Sequence, residues 1–376
     1  MDQRYSPVQD VRRHHRRLVL RSLRDDGPQP RADLARRLGL SATTMTKVVG
    51  QLLDEGLVAE GAVAGAGRRV GRPSTGIGIR ADARHVIGVR VGAGAVELGL
   101  CDLRARVRES RSFAFDAAAE SPERVAARIA EEASGLAAAV PAGRLLGVGV
   151  AAPGPVDAAR RRVVLSVNLG WRDVPFADLL ERALGVPAVV DHNVRSMALA
   201  ESRYGATGGA DPLLYVHVRT GVGAGLVIGG QPFRPGPHGV TELGHLRVQE
   251  KGRPCACGAT GCLETVVSEP YLAARLGRRS ADLLAELDDA LLDEVAGHLS
   301  TGLAGAVNLL NPELILLGGI FGAAPEPVFD RVRAALRAKT FPVLRDLVRV
   351  GRPTLAGDAG VVGGAAVALD SFLYER

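Results

Sequence analysis

The chain has 376 residues, 47% of them hydrophobic and 23% charged, with a formal net charge of +6. That length and composition exclude a disordered or fibrous protein and provide for two or three globular units with their own cores. No apolar run approaches the roughly 20 residues of a membrane-spanning helix, and the opening MDQRYSPVQDVRRHHRR lacks the apolar block of a secretory signal, so a cytoplasmic protein with no membrane partner is expected.

The basic character is local. Residues 1–80 hold 15 Lys and Arg against 8 Asp and Glu, whereas the remaining 296 residues hold 32 against 33. A basic module on a nearly neutral body suits a nucleic-acid-binding unit; a merely solvated basic face is the competing reading. Three helical patterns follow one another in this module. The first, around Leu18, Val19 and Leu23, stops at Asp25-Asp26-Gly27-Pro28. The second, Arg31 to Leu38, sets Leu34, Ala35 and Leu38 on one face and ends at Gly39. The third starts from Ser41 as N-cap and repeats Met45, Val48, Val49, Leu52 and Leu53 at helical spacing, with Gly56 beyond its end.

A short helix, a tight Gly-Leu-Ser turn and a capped amphipathic helix predict a helix-turn-helix. Its second helix presents Thr43, Thr44, Thr46 and Lys47 to the major groove of double-stranded DNA. Leu57 to Glu60 and Thr75 to Arg80 then read as strands on either side of GAGRRVGRP, the layout of a wing, with Arg68, Arg69 and Arg72 directed at phosphates or a narrow minor groove.

From His85 on, strand-like and helical runs alternate, which predicts an α/β body. IGVRVGAGAVELGL at 87–100 and YVHVRTGVGAGLVIGG at 215–230 each read as a strand, a glycine turn and a returning strand. Two such hairpins predict a duplicated fold with a cleft between the halves. The alanine-rich stretch 117–140 reads as a surface helix, and Trp171 as core.

Cys101 stands alone in an apparent strand, but Cys255, Cys257 and Cys262 cluster. With His245 they supply the donors of a closed tetrahedral Cys3His site for Zn2+, and Gly258 and Gly261 let the short loop fold back. Four protein ligands leave no open position for water, so one structural zinc per chain is expected; buried free thiols beside an unrelated His are the alternative.

The tract 236–264, GPHGVTELGHLRVQEKGRPCACGATGCLE, resembles the signature of the ROK family (repressors, open reading frames and kinases), G-x-x-G-E-[IL]-G-H followed by C-x-C-G-x-x-G-C-x-E. Ala152-Pro153-Gly154-Pro155-Val156, Asn168-Leu169-Gly170-Trp171, Asn311-Pro312-Glu313 with Leu317-Gly318-Gly319, and the closing GDAGVVGGAA support the resemblance. Thr241 departs from it, standing where the signature has Gly. The resemblance implies a two-lobed, actin-like sugar-kinase-like domain at residues 84–376, with its zinc motif at 245–262. Ahead of it lies a winged helix-turn-helix at residues 1–80, as in the family's regulators.

Kinases of the family open with D-x-G-G-T, whose Asp helps place the metal-nucleotide; the matching stretch is Arg90-Val91-Gly92-Ala93-Gly94, with the charge reversed. Their base is the Asp of E-N-D-A-N, matched here by Asp191-His192-Asn193-Val194-Arg195, and an amide at Asn193 does not accept the proton of an attacking hydroxyl. The chain is therefore expected not to be an enzyme, to have no catalytic residue and to require no ATP. The resemblance maps sugar contacts onto Glu242, His245 and Glu264, joined by Asn193, His192 and Asn168. The expectation is a sugar-responsive transcriptional regulator, a repressor of sugar-metabolism genes, working as a homodimer or homotetramer on an operator. The alternatives are a bifunctional hexose kinase using ATP, and a regulator answering to a protein partner.

Overall fold

The computed structural model describes residues 7–62, 75–239, 241–278, 280 and 282–375. The chain begins with α1 (Pro7–Asp25), β1 (Gln29–Pro30), α2 (Arg31–Leu38), α3 (Ala42–Asp54), β2 (Val58–Ala62) and β3 (Thr75–Ile79), the strands ordered β1-β3-β2. Gly39 ends α2 at φ 64. The Thr44 amide donates to Ser41 Oγ at 3.1 Å and so caps α3. These stops point the apolar faces inward, and Val19, Leu23, Leu34, Met45, Val49, Leu52 and Ile77 bury together. Arg68, Arg69 and Arg72 lie outside the described residues.

The body continues with β4 (His85–Val91), β5 (Ala95–Asp102), β6 (Val107–Ala114), α4 (Pro122–Ala137), β7 (Leu145–Ala152), β8 (Val163–Ser166), β9 (Trp171–Val174), α5 (Phe176–Leu184), β10 (Ala188–His192) and α6 (Asn193–Tyr204). The second half holds β11 (Leu213–Val218), β12 (Val222–Ile228), β13 (Gln231–Pro232), α7 (Glu264–Val267), α8 (Glu269–Leu276), α9 (Asp289–Leu310), β14 (Leu314–Gly319), α10 (Glu326–Lys339), β15 (Arg349–Gly351) and α11 (Ala359–Leu369), which runs into a π-helical turn, Asp370–Tyr374.

The two main sheets repeat one plan. In the first, ordered β10-β7-β4-β5-β6, an antiparallel hairpin β4–β5 is extended on one side by β6 and on the other by parallel β7 and β10. In the second, ordered β13-β12-β11-β14-β15, hairpin β11–β12 is extended in the same way by β13, β14 and β15. The two glycine-rich hairpins are the start of each half. Trp171 is buried and stacks on Phe176 at 5.2 Å. The alanine-rich stretch forms α4, amphipathic, with Val125, Ile129, Ala133 and Leu136 in the core.

Helix α11 is apolar on every side and buried throughout. It lies unusually close to β4 and β7, because a β-carbon at Gly88 or Gly149 would collide with the carbonyls of Val361 or Gly364. One continuous cluster joins α1, α3 and β3 to α11 and the π-helical turn, so the N-terminal module shares a core with the body. Among the described residues, no helix is long and apolar enough to cross a membrane.

Candidate metal centre, ligand cleft and DNA-facing helix

In α3, Thr43, Thr46 and Lys47 are exposed on the side opposite Met45, Val48 and Val49. Two of the threonine hydroxyls are already engaged. Thr44 Oγ1 lies 2.9 Å from Ser41 Oγ, and Thr46 Oγ1 donates to the Ala42 carbonyl at 2.9 Å. Among the described residues, Thr43 and Lys47 therefore carry side-chain polar groups without a partner on this face.

Cys255, Cys257, Cys262 and His245 converge, their ligand atoms all within 4.8 Å of one another. The loop is closed by the Cys255 amide donating to the Ala259 carbonyl and by bridges pairing Arg247 with Cys262 and Pro254 with Thr260. Gly261, at φ 74, presses on the Gln249 backbone where a β-carbon would collide. A tetrahedral zinc with Zn–S of about 2.3 Å and Zn–N of about 2.1 Å has S···S edges of about 3.8 Å and S···N edges of about 3.6 Å. Cys257 and Cys262 stand 3.8 Å apart, and Cys255 Sγ stands 3.6 Å from His245 Nδ1. The donor set thus fits the ion in chemistry, and these two edges match its spacing. Burial pushes the Cys255 and Cys262 thiols up, so three thiolates at one point need a cation to hold them deprotonated.

His245 faces two ways. Its Nδ1 points to the thiols and lies 3.7 Å from Glu264 Oε1, while Nε2 lies 3.9 Å from Glu242 Oε2. Cys255 Sγ donates to Glu264 Oε1 at 3.0 Å. Burial and the nearby Glu264 raise the Glu242 carboxyl, against the opposing pull of His245. Thr241 fits its place: its hydroxyl donates to the Ala224 carbonyl at 2.8 Å and ties this loop to β12.

Strand β12 in turn lies on the start of α6, where β-carbons at Gly223 or Gly225 would strike Val194 and Arg195. Asn193 opens α6, directly after His192 ends β10, beside Ala152 at the end of β7. This is the carboxyl end of parallel strands, where open α/β sheets take ligands. The β7 extension packs onto β8 through Gly154, just ahead of exposed Asn168, which makes no side-chain hydrogen bond among the described residues. His245 lies within 4 Å of both Glu242 and Glu264; among the described residues no hydrogen bond or ion pair joins Asn168, His192 or Asn193 to them, although the β12–α6 packing sets the two groups on neighbouring elements.

Beneath the cleft lies a network that sequence reasoning did not single out. Buried Asp191 accepts from the His192 amide, from Arg195 and from Arg234 Nη2 at 2.8 Å. Its carboxylate is consumed by these cations, and Arg195 Nη1 stays buried without a partner. The spacing of Asp191 and Arg195, four apart across the β10–α6 join, was the available signal; nothing local marked Arg234. His192 is buried, and desolvation, helped by Arg195, pushes its imidazole down to about 4. Arg90 pairs with Glu97 Oε2 at 3.0 Å, and its stem lies against Gly360 at the start of α11. The guanidinium thus fills space beside the Gly92 turn.

Residues 86–371 match the ROK family, and residues 12–59 match a winged helix-turn-helix DNA-binding family. The chain is 28% identical over 388 residues to the DNA-binding transcriptional repressor Mlc of Escherichia coli, covering 97% of this chain and 95% of that protein. A crystal structure of a ROK family transcriptional regulator, a homologue of E. coli Mlc, superposes with TM-score 0.81 and 25% identity over 97% of each chain. A ROK family glucokinase from Streptomyces griseus, solved with glucose and AMPPNP, superposes with TM-score 0.64 and 28% identity over 75% of this chain and 98% of its own.

Proposed function

The chain belongs to the ROK family, and we propose that it is a sequence-specific transcriptional repressor of sugar-metabolism genes whose DNA affinity is set by a sugar or sugar derivative. Residues 1–80 are its winged helix-turn-helix and residues 84–376 its effector domain. The observation that carries this reading is one shared core that joins an exposed, capped helix of the N-terminal module to the ROK domain; the amide of Asn193, where the resemblance expects the kinases' base, supports it. Similarity to Mlc along nearly the whole chain supports it.

In the cleft, Glu242, Glu264 and the Nε2 side of His245 take the sugar hydroxyls, with His192, Asn193 and Asn168 on the facing elements. Neutral His192 and amide Asn193 bind a hydroxyl without activating it. The Cys3His cluster holds one structural zinc per chain, which stiffens the loop that carries Glu242 and Glu264. On the DNA, Thr43, Thr44, Thr46 and Lys47 enter the major groove, the two engaged threonines through methyl contact. Arg68, Arg69 and Arg72 reach the phosphates.

The protein works in the cytoplasm as a homodimer or homotetramer, matching two recognition helices to a palindromic operator. It is not an enzyme: Asp191 is held by Arg195 and Arg234, and Arg90 occupies the phosphate turn. The test is a DNA shift assay with and without sugars, alongside an ADP-release assay over the same panel. Operator release by one sugar with ADP release at background supports the reading; turnover of a hexose well above background overturns it in favour of the kinase.

A further inference from the structure

Between the N-terminal module and the ROK domain the described residues line a half-open cavity of about 450 Å³. That lies within the range of roughly 300–1,000 Å³ typical of small-molecule sites. Leu23 and Ile79 of the DNA-binding module form one apolar wall, and Val362 of α11 faces the same space. It is distinct from the sugar cleft, although Tyr204, the last residue of the helix that Asn193 opens, lines it.

Its charge is unbalanced. Arg24 reaches the cavity but is already paired, with Asp25 at 2.6 Å and Asp370 at 3.5 Å. Arg104 and Arg106 also line it, and neither side chain has a hydrogen bond or ion pair among the described residues. Asp358 is the one acid among the lining residues. Tyr204 adds a buried hydroxyl with no hydrogen-bond partner among the described residues.

The backbone of the turn that carries the two arginines is held in place. Buried Asp102 accepts the Arg104 amide at 2.8 Å and the Arg106 amide at 3.1 Å, and Ala105 between them sits at φ 55. A non-glycine residue adopts that left-handed conformation at an energetic cost, and such strain recurs at ligand sites. Two unpaired guanidinium forks carried on a fixed turn, Arg104 half-buried and Arg106 exposed, suit a carboxylate or phosphate, which accepts from them in pairs.

We propose that this cavity is a second ligand site, which binds a small organic anion through its phosphate or carboxylate group. Arg104 and Arg106 grip the anion, Tyr204 donates to it, and the carbon body rests on Leu23, Ile79 and Val362. Because both units supply its walls, the ligand favours the relative placement that closes the site, and so changes DNA affinity independently of the sugar cleft.

The experiment titrates the full-length protein with inorganic phosphate, pyrophosphate and citrate at constant ionic strength and follows Tm, then DNA affinity at saturation. At least one anion is expected to raise Tm by a few degrees in a saturable way. The rise disappears in R104A/R106A and persists in K47A, which alters the DNA-facing helix, and in E242A, which alters the cleft. Response to phosphate or pyrophosphate alone assigns a phosphorylated ligand, and response to citrate alone a carboxylated one. If R104A/R106A lowers the unliganded Tm, R104Q/R106Q replaces it. No rise with any probe, or a rise undiminished in the arginine variants, overturns the site; saturation without change in DNA affinity overturns the coupling.

Discussion

Arg24 in the last turn of α1 meets Asp370 in the closing π-helical turn at 3.5 Å, with both side chains 5% exposed or less. Arg203 of α6 pairs with the same carboxylate, so three helices are tied at one buried charge cluster. The chain links the DNA-binding module to the helix that begins at the cleft. Replacing Asp370 with Ala leaves the buried Arg203 guanidinium with no carboxylate and Arg24 with Asp25 alone, and a loss of about 3–5 kcal/mol is expected from breaking such a cluster. Urea denaturation measures it; a loss under about 1 kcal/mol would show that water reaches the cations.

Removal of the metal is expected to destabilise the protein. Elemental analysis should give one zinc per chain, and a strong chelator or Cys262→Ser should empty the site and lower Tm, because the closely spaced thiols and His245 lose the ion that joins them. Unchanged Tm in metal-free protein would reduce the cluster to packed thiols.

His192 sets an acid limit on stability. Its folded value is pushed down to about 4, below the ordinary value of 6.5, so the unfolded chain binds the proton more readily. The stabilising difference is complete above about pH 6.5 and is lost as pH falls toward 4, amounting to about 2 kcal/mol at pH 5. Chemical denaturation from pH 7 to 5 should show this loss on top of that from His217, whose imidazole burial also pushes down to about 4, and His192→Gln should reduce the slope. Equal slopes in the two proteins would mean that His192 is hydrated.

On the DNA side, Lys47→Ala should weaken binding to every sequence and reduce the slope of log affinity against log salt by about one, the signature of a single phosphate contact. Thr46→Val should change affinity little, because it keeps the methyl contact and removes only a hydroxyl already bonded to Ala42. The salt series on both variants separates these effects.

Much of this fold was legible because local signals agreed. Ser41, Gly39 and the apolar spacing from Met45 to Leu53 define the helix-turn-helix, and the two glycine hairpins announce the repeated sheet. The cysteine cluster was legible because four donors crowd a short stretch. The junction was not, since Arg24, Arg203 and Asp370 are far apart in the chain and each looks like an ordinary surface charge. The same holds for Arg234 on Asp191. Thr44 and Thr46 carry a different lesson: residue type marked them for DNA, and only their hydrogen bonds reveal that the hydroxyls are turned inward.

The most direct test of the regulator account is a shift assay on DNA from just upstream of the protein's own gene, at fixed salt, with and without a panel of sugars, using the wild type and Glu242→Ala. The account predicts specific binding that one sugar changes several-fold, and a Glu242→Ala protein that binds equally well but no longer responds. Absence of specific DNA binding under every condition would contradict it.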